Sequence, residues 1–138
     1  DVSELILDTC AVIWLAEEAK FSPLARQAID EAVEGGDSVC VSPISAWEVS
    51  NQIRKGRLRT TKNAQVWFDD FMTGSGFIVA LMPVPVLIGS SFLPGNPPAD
   101  PADSIIAATA REYGYTIVTR DRALLAYADA GHINAIGC

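Results

Sequence analysis

The sequence predicts an α/β fold in three layers, with helices on both faces of a central parallel sheet of about five strands. Two patterns predict it. Short apolar runs occur as continuous blocks, as strands buried on both faces require. Between them lie segments with apolar residues at helical spacing, and strands that alternate with helices argue for a parallel sheet with right-handed crossovers. Length adds a third observation. The chain has 138 residues, one domain's worth, so residues 1–138 are expected to form a single domain. A chain of this size buries roughly two thirds of its unfolded surface and needs no staples to fold.

The elements follow in order. Leu5–Leu7 reads as the first strand, and the apolar run Ala11–Ala16 as a helix headed by Cys10. Pro23–Glu34 reads as a helix carrying Leu24, Ile29 and Val33, with acids outside. Val39–Val41 is the second strand. Ser45–Lys55 carries Trp47, Val49 and Ile53 at helical spacing, and Asn63–Met72 carries Val66, Trp67, Phe68 and Phe71. Phe77–Leu81 reads as a third buried strand. Leu93–Pro101 is rich in proline and glycine, too short for a domain linker, and reads as a loop. Pro101–Tyr113 is a helix with Ile105, Ile106, Ala108 and Ala110 inside. Thr116–Val118 is the fourth strand, and Ile133–Ile136 a weaker fifth.

Composition narrows the function. With 49% hydrophobic residues and 20% charged, the chain is not a disordered tail. No apolar run approaches the ~20 residues that span a bilayer, and no secretory leader is visible. The three cysteines, Cys10, Cys40 and Cys138, cannot all pair within one chain, so they read as reduced thiols in a cytoplasm. One histidine, His132, and no CxxC remove structural zinc and most histidine-based catalysis. A net charge of −7 excludes a general DNA-coating protein. Yet Arg54, Lys55, Arg57, Arg59 and Lys62 are five of the ten basic residues. They read either as a solvated helix end or as a local phosphate-contacting edge.

In open parallel sheets the ligand crevice lies beyond the carboxyl ends of the strands. Asp8 directly follows the first strand, and Asp121 follows the fourth through Thr119-Arg120. Glu48 lies early in the helix after the second strand, beside Trp47 and Val49, which read as buried. Asp100 and Asp103 open the helix Pro101–Tyr113. Some of these acids have structural readings. Asp100, before Pro101, makes a good N-cap, and Asp121 can cap a helix through Leu124-Leu125. Asp8 at the end of an apolar strand needs a partner. Carboxylates brought together repel and raise one another's pKa unless a cation is present. An oxygen-only cluster suits Mg²⁺ or Mn²⁺, the ions of phosphoryl chemistry.

The residues that carry these signals resemble a family. They are Leu7-Asp8-Thr9 with Ala11–Leu15 behind it, Ser45-Ala46-Trp47-Glu48-Val49, Lys55-Gly56-Arg57-Leu58, Asp100-Pro101-Ala102-Asp103 with Ile105–Ala110, and Val118-Thr119-Arg120-Asp121. Together, in this order and over about Leu5 to Ile136, they resemble a PIN domain of the VapC type, the toxins of bacterial toxin–antitoxin pairs. The resemblance implies a PIN-like fold and an Mg²⁺- or Mn²⁺-dependent endoribonuclease that hydrolyses RNA phosphodiester bonds with a metal-activated water. It implies Asp8 and Asp103 as direct metal ligands, Asp121 completing the metal site, and Glu48 as the residue that holds or polarises the attacking water. Thr9 and Thr119 would support them by hydrogen bonds. It also implies a cognate antitoxin that pushes basic side chains into the acidic crevice, and a homodimer. Trp14, Trp47, Trp67, Phe68 and Phe71 are candidates for either interface.

Two positions depart from the family's habit. Ser104 stands where arginine is frequent, and Asn96–Ala99 carries no basic residue or histidine. The alternative within the same fold is a catalytically degenerate PIN-like domain that binds RNA or protein without cutting. A haloacid-dehalogenase-like phosphotransferase needs a second acid two residues after Asp8, where Cys10 stands. A Cys10–His132 nucleophilic pair competes with ordinary structural roles for both residues.

Overall fold

β1 (Leu5–Leu7) is three large aliphatic residues, all buried. Side chains alternate along a strand, so its leucines and its isoleucine serve opposite faces of the sheet. Leu5 and Leu7 join Val39, Val41 and Val118 in one core, and Ile6 joins Cys40 and Ile117 in the other. This double burial puts β1 at the centre. The structure, a computed structural model, describes residues 4–138.

α1 (Thr9–Ala16), α2 (Pro23–Glu34), β2 (Val39–Val41), α3 (Pro43–Arg54), α4 (Ala64–Ser75), β3 (Ile78–Val79), α5 (Val84–Gly89), α6 (Pro101–Tyr113), β4 (Thr116–Thr119), α7 (Arg122–Asp129) and β5 (Asn134–Gly137) follow in order. All strand pairs are parallel, in the order β3-β2-β1-β4-β5. Residues of α1 and α2 (Ala11, Val12, Ala25, Ile29, Ala32) pack on one face, with Trp67, Phe68 and Phe71 of α4 beside them. Residues of α6 and α7 (Ile106, Ala107, Ala110, Leu124, Tyr127) cover the other. The three-layer α/β/α expectation holds. Among the described residues no helix is long and apolar enough to cross a membrane.

Several boundaries move for local reasons. α3 starts two residues before the expected Ser45, because Ser42 accepts from the Ile44 N–H at 3.1 Å and Pro43 occupies the first turn. α4 runs on to Ser75, where Gly76, at φ +74°, closes it in the left-handed conformation. β3 keeps only Ile78–Val79 of the expected Phe77–Leu81, and its residues are exposed, not buried. It is an edge strand, paired with β2 alone. α5 has no counterpart in the sequence reading; it is a short apolar helix whose N-cap, Pro83, has no side-chain oxygen to mark it.

The loop before α6 is tied down twice. The Tyr127 hydroxyl donates to the Pro94 carbonyl, and the Ser104 hydroxyl donates to the Pro98 carbonyl at 2.8 Å. The Tyr127 ring packs against that of His132. Gly95, at φ +70°, lies so close that a Cβ there would run into the His132 ring. Ser104, one of the two departures from the family's habit, thus fastens the other, the Asn96–Ala99 run, to the helix that carries Asp103.

Candidate active site

Asp8 terminates β1 and caps α1. Its backbone N–H still donates to Val118 of β4 at 2.9 Å, while its side chain turns to the helix. Oδ1 accepts from the Thr9 N–H at 2.8 Å. Oδ2 accepts from the Thr119 hydroxyl at 2.7 Å and from the Cys10 thiol at 3.3 Å. Only 4% of Asp8 is exposed. Burial raises its pKa above the ordinary carboxylate range, against the three hydrogen bonds, and the Asp121 charge adds to the rise.

Glu48 reaches the same region from α3. The Thr9 hydroxyl donates to Glu48 Oε1 and lies 2.8 Å from the Ser45 hydroxyl, so one threonine links β1's end to α3. Burial raises the Glu48 pKa, partly offset by that bond, and the charges of Asp8 and Asp100 raise it further. Its neighbour Val49 is buried as expected. Trp47 is not: it is 61% exposed, because it lies on the far side of α3 from the packed turn of Ser45 and Val49.

Asp100 and Asp121 both act as caps. Asp100 accepts from the Asp103 N–H at 3.1 Å, and Asp121 from the Leu124 N–H at 2.9 Å. Thr119 also accepts from the Asp121 N–H at 2.9 Å, so this hydroxyl holds both Asp8 and the turn that carries Asp121. Asp103, at the third position of α6, has the opposite environment. Burial comes first, then the charges of Asp8, Asp121, Asp100 and Glu48, and together they push its carboxyl up to about 8.

The four acids singled out in the sequence, Asp8, Glu48, Asp103 and Asp121, therefore meet. With Asp100 they line one open cleft of about 500 Å³ at the carboxyl edge of the sheet. Four further residues line it that the sequence did not single out for a part in this site: Gln52, Arg120, Cys10 and Ile13. Gln52 is four residues after Glu48 on α3, so helical spacing was the available signal. Arg120 is the one cation among the lining residues. Its guanidinium lies over the Trp14 ring, 3.2 Å from the centroid, and donates to the Cys138 carbonyl. Cys10 and His132 do not form a pair; His132 lies against Tyr127 and Gly95.

The donor set is oxygen-only, and burial and neighbouring charge raise the carboxyls of Asp8, Glu48 and Asp103, which is the chemistry a hard divalent cation relieves. Among the described residues, no three of these groups stand close enough to enclose an ion as they are arranged. The caps hold several of the carboxylate oxygens.

The sequence profile of the PIN domain matches residues 5–130. The chain belongs to the PIN domain family. A curated PIN-family relative, "Ribonuclease VapC22" of Mycobacterium tuberculosis, is 32% identical over 127 residues, covering 89% of this chain and 91% of its own. Two solved structures share the PIN fold. VapBC2 from Rickettsia felis, bound to a DNA fragment from its promoter, matches with a TM-score of 0.67 at 15% identity, over 97% of this chain and 98% of its own. FitAcB from Neisseria gonorrhoeae matches with a TM-score of 0.56 at 20% identity, over 96% of each chain.

Proposed function

We propose that this PIN domain, residues 1–138 as one unit, is a metal-dependent endoribonuclease and the toxin of a toxin–antitoxin pair acting in the cytoplasm. The observation that carries the reading is the convergence of five carboxyl groups from four separate segments on one cleft. The ribonuclease relative supports the substrate class.

In this reading Asp8, Asp103 and Asp121 hold a Mg²⁺ or Mn²⁺ ion. When bound, the ion lowers the pKa of a water and offsets charge on the scissile phosphate. Glu48 orients the attacking water and takes its proton; its raised pKa suits a base, and the Thr9 hydroxyl fixes its direction. Thr119 keeps Asp8 aimed into the cleft. The exposed Arg54, Lys55, Arg57 and Arg59 at the end of α3 contribute affinity for the RNA backbone, without touching the reacting bond. Lys62 contributes less, because it is paired with Asp70 at 2.7 Å.

The antitoxin has two surfaces to engage. The acidic cleft accepts basic side chains through charge-assisted hydrogen bonds. A groove of about 530 Å³, walled by Leu15, Trp67, Phe71 and Phe77 and edged by charges of both signs (Glu18, Arg26, Lys62 and Asp70), fits an apolar segment. A homodimer would cover the exposed Val84, Ile88 and Phe92.

The test is cleavage of RNA by the purified chain. It should need Mg²⁺ or Mn²⁺, stop with EDTA, and fall at least about a hundredfold in Asp8→Asn and Asp103→Asn. Undiminished cleavage by both variants would overturn the reading. Co-expression with the neighbouring open reading frame should abolish toxicity and yield a stable complex.

A further inference from the structure

Ser45 lies in the first turn of α3, three residues before Glu48 and on the same face of the helix. It is fully buried. A buried hydroxyl is costly unless it is hydrogen-bonded. Other helical hydroxyls of this chain meet that need within their own helix. Ser50 donates to the Ala46 carbonyl and Thr109 to the Ile105 carbonyl, each at 2.7 Å. Ser45 does not, and the capping oxygen of α3 comes from Ser42. Among the described residues, the side-chain partner of Ser45 is the Thr9 hydroxyl, at 2.8 Å. An alanine would fill nearly the same space without needing a partner.

The protons of this cluster can be counted. Glu48, as a carboxylate, only accepts. Thr9 has one hydroxyl proton, and it is donated to Glu48 Oε1. The Thr9 oxygen can then meet Ser45 only as an acceptor, so the proton between the two hydroxyls belongs to Ser45. The chain of donors runs one way, from Ser45 to Thr9 to Glu48. Thr9 is also held from its backbone, whose N–H donates to Asp8 Oδ1 at 2.8 Å. Oε1 is the Glu48 oxygen that the protein holds. Oε2 is left for what enters the cleft that Glu48 lines.

We propose that Ser45 is a positioning residue for Glu48, acting through Thr9. Its proton keeps the Thr9 hydroxyl turned toward Oε1, and this leaves Oε2 as the oxygen that takes the proton of the attacking water. The inference rests on the reading of Glu48 as the base. Without the Ser45 hydroxyl, the Thr9 oxygen loses its donor and the Thr9 hydroxyl is free to rotate. Glu48 is then held only part of the time. Ser45 is buried and touches no RNA, so its loss acts on the chemical step and not on binding.

The experiment measures kcat and KM for one RNA substrate cleaved by the full chain with Mg²⁺ or Mn²⁺. Four chains are compared: the unaltered protein, Ser45→Ala, Thr9→Val and the double variant. Ser45→Ala should lower kcat about tenfold, a part of the roughly 10²–10⁴-fold that a positioned base contributes, and leave KM unchanged. Thr9→Val should lower kcat at least as much. The double variant should be no slower than Thr9→Val, because Ser45 has nothing left to act through. Urea titration checks that each chain is folded. If Ser45→Ala does not fold, Ser45→Cys fills the site with a weaker donor and should show the same fall in kcat at constant KM. An unchanged kcat, a rise in KM alone, or losses that multiply in the double variant would overturn the proposal and leave Glu48 as the base. An unaltered protein that cleaves no RNA with either ion would overturn the reading beneath it, and the proposal with it.

Discussion

Asp103 is half-buried and faces the charges of all four other acids of the cleft. Its carboxyl is pushed up to about 8, while in the unfolded chain it titrates in the ordinary range near 4. Between those two values the folded chain binds a proton that the unfolded chain has released, so the group costs stability as pH rises through that window. Below about pH 4 both states are protonated and the cost vanishes. Asp103→Asn should therefore raise the melting temperature in EDTA at pH 8 by about 3–5 °C, worth on the order of 1 kcal/mol after solvent screening. At pH 4 the gain should disappear. A thermal scan at both pH values checks this. Thr119 acts differently: it holds Asp8 through one hydroxyl. Thr119→Val should lower Mg²⁺ or Mn²⁺ affinity about 10–100-fold by calorimetric titration.

At the scale of elements, the residues that end strands also begin helices, so the acids of the cleft serve as caps too. Asp121 separates the two roles. Asparagine caps about as well as aspartate, and alanine does not. Asp121→Asn should leave stability unchanged by urea titration and still lose RNA cleavage. Asp121→Ala should lose both, with about 1 kcal/mol of stability gone. This double use explains what was legible in the sequence. Asp8, Glu48, Asp103 and Asp121 could be picked out because strand ends and helix starts are visible as breaks in apolar pattern. Asp100 reads both as a cap and as an acid of the crevice, and it is both. Gln52 shares helical spacing with Glu48 and Arg120 directly follows β4, but neither is a carboxylate, so a search for acids at strand ends and helix starts passes over both. Trp47 reads as buried because a large apolar side chain in a helix usually is. Its exposure depends on how α3 packs against α1, α4 and α6, and no local signal fixes that. α5 escapes the sequence, and β3 is read as longer and buried, for one reason: a short uncapped helix and an edge strand have apolar residues without the burial that usually explains them.

At the scale of the whole molecule, an acidic protein must approach an anionic substrate. The net charge is −7, so binding depends on where the positive charge sits. The exposed arginines after α3 concentrate it on one edge. Neutralising Arg57 and Arg59 should weaken RNA binding and reduce the slope of log affinity against log salt by about 1.4, at roughly 0.7 for each single-strand phosphate left without its arginine. Fluorescence anisotropy at several salt concentrations measures it, and an unchanged slope would place the RNA elsewhere.

The order of the strands also sets when the cleft comes into being. β1 is made first, yet its partner on one side is β4, and the bond from Thr119 that aims Asp8 spans 111 residues of chain. Contacts so distant in sequence form only after the intervening chain exists. A chain emerging from the ribosome presents Asp8 and Glu48 long before Asp103, Thr119 and Asp121 have been synthesised. It passes the message that encodes it, and the RNA of the machine that makes it, as an unarmed fragment. The topology delays the assembly of the cleft until its last acid, Asp121, has been synthesised.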